Sequence, residues 1–248
     1  ALALNLLIAI PTYNEAENVG IICQRVLDAV PDCCLLFIDD NSPDGTGDLL
    51  DQLAKDDHRV VVCHRESKQG IGSAHQLAIK YAYENAVNTL VTMDADFTHS
   101  PEHIPELTKL LKFSDVVVAS RFIGEGGLEG WSFTRKAMTH LGHLLTRFLL
   151  QLPYDASGAF RAYNLTNIPK STFKLVDSTG YAFFFESLKI MHIKKISISE
   201  YPIVLPTRTY GHSKMKLRDI VRSLSFMLFL SFKTIVRKNQ LGISQDNG

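Results

Sequence analysis

The sequence pattern predicts an α/β domain in which a doubly wound, mostly parallel sheet carries helices on both faces. Three observations predict it. Short apolar runs rich in β-branched residues alternate with helix-length stretches through the first half of the chain, and the connections between them are short. The polar clusters recur where the apolar runs stop: Thr12–Glu15, Asp39–Asp44, Arg65–Gly72, Asp94–Thr98 and Arg121. Ligands of such sheets bind beyond the carboxyl ends of the strands, so these clusters belong to one site.

The elements follow in order. Leu6–Ile10 reads as the first strand, and Pro11-Thr12-Tyr13-Asn14 as a turn. A helix is expected from about Glu15 to Ala29, with Glu15 and Glu17 at its positive dipole end. Strands at Leu35–Asp39, Val60–Cys63, Thr89–Asp94 and Asp115–Ser120 alternate with helices at Thr46–Ala54, Ala74–Asn85 and Ser100–Lys112. Ser100-Pro101 supplies an N-cap and a first-position proline for the last of these. After Arg121 the pattern changes to a glycine-rich loop, Gly124–Gly130, and a helix over Trp131–Leu150. Pro153–Asn164 is irregular or strand-like, Thr179–Met191 follows, and a strand lies near Ile196–Val204. Leu217–Val236 is amphipathic to fully apolar; its longest uncharged run, Ser223–Phe232, is ten residues, about half of what a bilayer span needs. An interfacial or core-packed helix is expected there, and no transmembrane span.

At 248 residues, 46% hydrophobic and 21% charged, the chain is globular rather than disordered. Net charge is zero, but from Lys189 to Lys238 there are 11 Lys/Arg against Glu200 and Asp219, a local +9. Such a segment expects an anionic partner: nucleic acid, a membrane surface or a phosphorylated substrate. The four cysteines, Cys23, Cys33, Cys34 and Cys63, form no C-x-x-C pair, which speaks against zinc and against a disulfide framework and fits a reducing compartment. The apolar opening is too short for a signal peptide and runs into the first strand.

Asp94-Ala95-Asp96 stands where the run Thr89–Met93 ends. Two carboxylates held together at a strand end repel unless a cation or proton lies between them. Hard divalent ions with oxygen ligands, Mg²⁺ or Mn²⁺, suit that position and usually complete their shell with substrate phosphates.

Pro11-Thr12-Tyr13-Asn14-Glu15, Ile38–Thr46 and the D-x-D together resemble family 2 glycosyltransferases of the Rossmann-like GT-A fold. Ser120-Arg121-Phe122, Ser157–Tyr163 and Gly211-His212-Ser213-Lys214 make the chain similar to dolichol- or polyprenol-phosphate mannose synthases. The resemblance covers about residues 5 to 215 and implies a role for each matching position. Pro11, Tyr13 and Glu15 would border base and ribose, Asp39 would lie near the base and Asp40 would shape that loop. Lys68, Gly70 and Gly72 would let backbone approach the nucleotide. Asp94, Asp96 and Thr98 would hold the metal on the donor diphosphate, Ala95 would belong with them to the donor site, and Arg208 and Lys214 would contact that diphosphate. Arg121, Arg135 and Thr139 would receive the lipid phosphate. Asp96, Arg121 and Arg135 would carry catalysis.

The implied reaction is an inverting transfer of mannose from GDP-mannose to a polyprenyl monophosphate, with Mg²⁺ or Mn²⁺. A UDP-sugar donor, or a non-catalytic nucleotide-sugar-binding subunit, are the alternatives. No nucleic-acid partner is implied. A peripheral, cytosol-facing membrane position is implied, with residues 1–216 as catalytic domain (donor half to about 122) and 217–248 as an amphipathic helix and tail. That helix or a small membrane-anchoring subunit would supply attachment. Thr98 stands where relatives often carry Gln or Ser, Thr139 where they carry Ser, and Phe184 where many carry a polar residue. Gly70-Ile71-Gly72-Ser73-Ala74-His75 lacks the third glycine of a dinucleotide loop. His75, His99, His103, His140 and His143 show no metal-ligand spacing and are expected to be structural or solvated. Trp131 and Phe183–Phe185 are expected in the core.

Overall fold

A computed structural model describes residues 5–124, 127–128, 130–205 and 225–231. Seven strands form one sheet in the order β3-β2-β1-β4-β6-β5-β7. These are β1 (Leu6–Thr12), β2 (Cys34–Asp39), β3 (Val60–His64), β4 (Thr89–Thr92), β5 (Val116–Ser120), β6 (Arg161–Asn164) and β7 (Ile198–Pro202). All pairings are parallel except those of β6, which runs antiparallel to β4 and β5.

Both faces of the sheet are covered, as the continuous apolar runs require. In β1, Leu7 and Ala9 face one core with α3 (Ile71–Glu84), α6 (Lys170–Phe173) and α7 (Ala182–Ile193). Ile8 and Ile10 face the other, with α1 (Val19–Ala29), α2 (Thr46–Asp56) and α4 (Ile104–Leu110). β2 alternates in the same way, Leu36 and Ile38 against Leu35 and Phe37. The chain winds from β1 outward to β3 and then crosses to β4 on the other side, so a switch point lies between β1 and β4, where such sheets open a crevice.

Several boundaries differ from expectation for local reasons. α1 begins at Val19, so Glu15 and Glu17 precede it rather than fill its first turn. The N–H groups of Glu15 and Ala16 are drawn to Thr46 Oγ1 (2.9 Å) and Asp44 Oδ2 (3.1 Å), which holds this stretch out of the helix. Ser100 does not cap; its hydroxyl bonds Glu102 instead, and Pro101–His103 is a 3₁₀ turn ahead of α4. α3 starts three residues early, at Ile71. α5 spans Phe133–Leu150. β4 stops at Thr92, so Asp94 and Asp96 sit in the following bend rather than on strand backbone. Of the C-terminal stretch Leu217–Val236, residues 225–231 are helical and the rest lies outside the described residues, as does most of the +9 segment's distal part. No described helix is long and apolar enough to cross a membrane.

The four cysteines are free. Burial pushes the Cys33 thiol up to about 12 and the Cys23 thiol up to about 11, so both behave as small core residues rather than nucleophiles. His75 is buried between Phe183 and Phe184 with ring centroids 5.5 and 5.0 Å away. Burial lowers its pKa to about 3, which fits the expected structural role.

Candidate active site

The carboxyl ends of β1, β2, β4 and β5 open into a cleft of about 1760 Å³, larger than the ~300–1,000 Å³ of an ordinary small-molecule site. Because β6 is antiparallel, its entry loop, Asp155–Ala159, joins the same edge. From sequence Pro153–Asn164 is irregular or strand-like, which gives no sign that Asp155 reaches the site.

On the β1–β2 side, the two turns are built on left-handed asparagines, Asn14 (φ 56°) and Asn41 (φ 55°), a conformation asparagine tolerates better than most residues. Asn14 N–H donates to Ser42 Oγ at 3.0 Å, which locks one turn to the other. Asp39 is buried and does not line the cleft; its carboxylate accepts from Thr12 Oγ1 (3.1 Å), Ser42 Oγ (2.6 Å) and Ser42 N (3.0 Å). Asp40 does line it, ion-paired with Arg65. Burial pushes the Asp40 carboxyl up, and the Arg65 hydrogen bond and charge offset only part of that. Asp39 is thus bonded into the turn between Thr12 and Ser42, and Asp40 faces the cleft. Pro11, Tyr13 and Glu15 line the wall, and Lys68 Nζ lies 4.0 Å over the Tyr13 ring.

Arg65 reaches further: its Nη1 donates to Ser73 Oγ (2.6 Å), which donates to the Gly70 carbonyl (2.7 Å). Gly70 lines the cleft at φ +99°, and a Cβ there would meet Thr179 O at 2.5 Å. Gly72 lies just behind the wall, where a Cβ would meet Gly180 O and Phe183 Cβ at 2.6 Å. Glycine at both positions therefore lets the α3 start lie against the 179–180 segment. Gly72→Ala is expected to push that segment into the cleft, lowering Tm by roughly 5 °C and weakening nucleotide binding. Thermal unfolding with and without nucleoside diphosphate checks it, and an unchanged Tm would count against the close approach.

The D-x-D bend carries the acidic wall. Asp96 is buried, and its Oδ1 accepts from Thr98 N (3.2 Å) and Thr98 Oγ1 (2.5 Å). Thr98 therefore orients Asp96 directly, while its own oxygen keeps lone pairs for an ion. Phe97 takes φ 60° to make the bend. Asp94 is about one-third exposed, and its N–H donates to His99 Nδ1 at 3.0 Å. His99, buried and tilted against Phe160 at 5.2 Å, is structural, as expected, but its structural job is to hold Asp94. No three His, Cys, Asp or Glu side chains converge as a metal cage among the described residues. Asp94 and Asp96 nonetheless offer hard oxygen donors on the cleft wall and leave further positions to water or ligand phosphate. That donor set fits Mg²⁺ or Mn²⁺.

Opposite lies Arg121, at the end of β5. Its Nε and Nη2 donate to Asp155 at 2.8 and 3.0 Å, and Nη2 also to Ser157 Oγ at 2.5 Å. Asp155 is buried; burial pushes its carboxyl up, but the Arg121 charge and hydrogen bonds outweigh burial and hold it below the usual range. Thr139 is half-buried on α5 and not on the cleft wall. The side chain of Arg135 lies outside the described residues, as do Arg208, Lys214 and the Gly211–Lys214 motif. Trp131 is nearly buried, as expected, yet it and Phe184 also line the cleft, with Trp131 Nε1 donating to Leu205 O at 2.9 Å.

Two fully buried charges support the floor without touching it. Arg161 donates to the carbonyls of Ala156 (3.0 Å), Gly158 (2.9 Å) and Phe184 (2.8 Å) and to Ser187 Oγ (3.1 Å). Glu186 accepts from Asp177 N (3.1 Å) and Ser178 N (2.8 Å), fixing the 177–180 segment. Arg161 stands inside the Ser157–Tyr163 motif and Glu186 in the Thr179–Met191 stretch, but nothing in their spacing marks them as supports.

Comparison with known proteins agrees with this arrangement. The sequence matches the family profile described as Glycosyl transferase family 2 over residues 7–170. It is 36% identical over 214 residues to an undecaprenyl-phosphate mannosyltransferase of Micrococcus luteus, covering 86% of this chain and 88% of that protein. It is 37% identical over 217 residues to a polyprenol monophosphomannose synthase of Mycolicibacterium smegmatis, covering 86% and 82%. Among solved structures it resembles glucosyl-3-phosphoglycerate synthase from Mycobacterium tuberculosis in complex with Mn²⁺, UDP and phosphoglyceric acid, with a TM-score of 0.61 at 17% identity over 98% of this chain and 80% of that one. With a nucleotide-type loop, an acidic bend and a cationic corner on one edge of a GT-A sheet, and with relatives matched along most of both chains, this protein belongs to glycosyl transferase family 2.

Proposed function

We propose that the protein transfers mannose from GDP-mannose to a polyprenyl monophosphate. The observation that carries this reading is the identity of 36–37% over 86% of the chain to two proteins named for mannosyl transfer onto polyprenyl phosphate. The cleft supports it, being large enough for two substrates side by side.

In this reading residues 1–216 are the catalytic domain, with the donor half ending near 122, and 217–248 a membrane-associating helix and tail. The nucleotide lies along Pro11, Tyr13, Glu15 and Lys68, with Asp39 near the base and Asp40 helping to shape that loop. Gly70 and Gly72 admit the α3 start to its place beside the diphosphate, which Arg208 and Lys214 contact. Asp94 and Asp96, with Thr98 behind, hold Mg²⁺ or Mn²⁺. When bound, the ion neutralises charge on the departing diphosphate. Arg121, Arg135 and Thr139 receive the acceptor phosphate, Arg121 through the edge not committed to Asp155.

The acceptor needs no protein base. A phosphate monoester has a second pKa near ~6 and is already a nucleophile at neutral pH. Its oxygen forms the bond to C1 as the bond from C1 to the GDP oxygen breaks, and the pair of electrons leaves with GDP. A single displacement inverts C1. What the chain supplies is approach: cations that let two anions meet in line. The protein works at a membrane surface facing the cytosol.

Radiolabelled GDP-mannose and UDP-glucose, each offered with polyprenyl phosphate and Mg²⁺ or Mn²⁺, test the reading. Label from GDP-mannose in the organic-extractable product supports it. Transfer from UDP-glucose alone reassigns the donor. Binding of either donor without any product overturns catalysis in favour of a nucleotide-sugar-binding subunit.

A further inference from the structure

Glu200 is one of two acidic side chains in the basic stretch Lys189–Lys238. It stands on β7, the last strand of the sheet, half-buried and off the cleft wall. Parallel pairing sets Glu200 opposite Val118 and Pro202 opposite Ser120, so Glu200 lies two residues behind the strand end that delivers Arg121. Its Oε1 accepts from the N–H of Asp155 at 2.8 Å. The Asp155 carboxylate in turn accepts from Nε and Nη2 of Arg121. Side chains from β7, from the loop into β6 and from the end of β5 therefore form one line that finishes at the cleft.

An ion pair fixes the distance between its members, not their place. The place has to come from the backbone that carries them. The loop leaves α5 at Leu150, reverses at Gln151 (φ 52°) and reaches β6 at Arg161. Downstream of Asp155, Arg161 holds the carbonyls of Ala156 and Gly158. At Asp155 itself the backbone anchor is Glu200, and a carboxylate acceptor makes that bond stronger than a neutral one. The charges that favour the protonated Arg121 are those of Asp155 and Asp94. Glu200 thus contributes an acceptor atom to this corner rather than a charge.

We infer that Glu200 is a positioning residue for the acceptor phosphate: by holding the Asp155 backbone it fixes the pair that aims Arg121 into the cleft. The inference rests on the reading of Arg121 as a cation for the acceptor phosphate and deepens it. Recognition of the acceptor then begins on the edge strand, outside the cleft. A small shift of Asp155 carries Arg121 with it, and reactions that need two anions in line are sensitive to such shifts.

The test uses the full chain and three variants. E200M keeps the length of the side chain without an acceptor, E200Q keeps the acceptor without the charge, and E200D keeps the charge but withdraws the oxygen by one methylene. Amide hydrogen exchange over residues 151–160 reads the anchor. KM for a detergent-dispersed polyprenyl phosphate, set against KM for GDP-mannose, reads the consequence. E200M and E200D are expected to exchange faster at Asp155 and to raise the acceptor KM about tenfold, with kcat and the donor KM within about twofold of wild type. E200Q should match wild type in both readouts. Should E200M not fold, E200D against E200Q makes the same comparison. Unchanged exchange and unchanged acceptor KM in E200D overturn the proposal. So does an E200Q enzyme that behaves like E200D, since charge and not the bond would then matter. Donor and acceptor KM rising together overturn it too, because Glu200 would then serve the fold at large. Faster exchange with an unchanged acceptor KM leaves the anchor standing and overturns the assignment of Arg121 to the acceptor. Wild type that transfers no sugar overturns the lipid-acceptor reading, and exchange still decides the anchor.

Discussion

Asp96→Ala is expected to lower kcat for sugar transfer by about 10³-fold or more, corresponding to about 4 kcal/mol of lost transition-state stabilisation. The size follows from where Asp96 sits. Its carboxylate is buried on the cleft wall and oriented by both the N–H and the hydroxyl of Thr98. A divalent ion held there would supply fixed positive charge against the negative charge of a departing diphosphate. Removing the carboxylate should weaken Mn²⁺ binding in parallel, read by electron paramagnetic resonance in the presence of GDP. The Thr98 donors lose a partner, which costs folding about 1 kcal/mol. Thr98→Ala separates orientation from ligation. It leaves both carboxylates in place and should cost only about tenfold in kcat. An Asp96→Ala enzyme with wild-type rate would remove the metal from Asp94 and Asp96.

The contrast between Asp96 and its neighbours shows how far the sequence carries. The apolar runs are continuous because both faces of the sheet are buried, so six of the seven strands are placed from sequence to within two residues, and β6 is only the end of the irregular or strand-like Pro153–Asn164. The clusters at their ends were legible for the same reason: a parallel sheet puts every such end on one edge. What could not be read was direction and partnership. β6 runs antiparallel, and only that reversal carries Asp155 and Ser157 to Arg121. Glu15 and Glu17 look like the acidic first turn of a helix, but the N–H groups of Glu15 and Ala16 donate to Thr46 and Asp44, some thirty residues away in sequence, and the helix is delayed to Val19. Asp39 and Asp40 are adjacent carboxylates of equal intrinsic character; which one faces the cleft is decided by Ser42 and Arg65, which lie on different loops. Local pattern sets the elements, and long-range pairing sets which side chains are left to meet a ligand.

Asp155→Ala is expected to be among the most destabilising single changes at the site, at about 3–5 kcal/mol, which is roughly 10 °C in Tm for a chain of this size. Asp155 is 1% exposed and accepts from the backbone and two guanidinium nitrogens of Arg121 and from the backbone and hydroxyl of Ser157. Its removal leaves a guanidinium that is mostly buried with no carboxylate, and the loop into β6 loses its anchor. A variant that removes both charges, Arg121→Met with Asp155→Leu, should recover most of that stability, because a buried pair contributes little net relative to apolar residues of similar volume. It should not recover transfer if Arg121 receives the acceptor phosphate, so the cycle of single and double variants divides the structural role of the pair from the chemical one. The pH dependence gives a second reading. Since the folded Asp155 carboxyl lies below its ordinary value, the pair's stabilisation is present above pH ~4, the unfolded value, and is lost as pH falls through the folded one. Wild type should therefore lose Tm on acidification through this range more steeply than the double variant. Parallel curves for the two proteins would show that Asp155 is not held ionised by Arg121, and equal transfer rates would show that Arg121 serves only the fold.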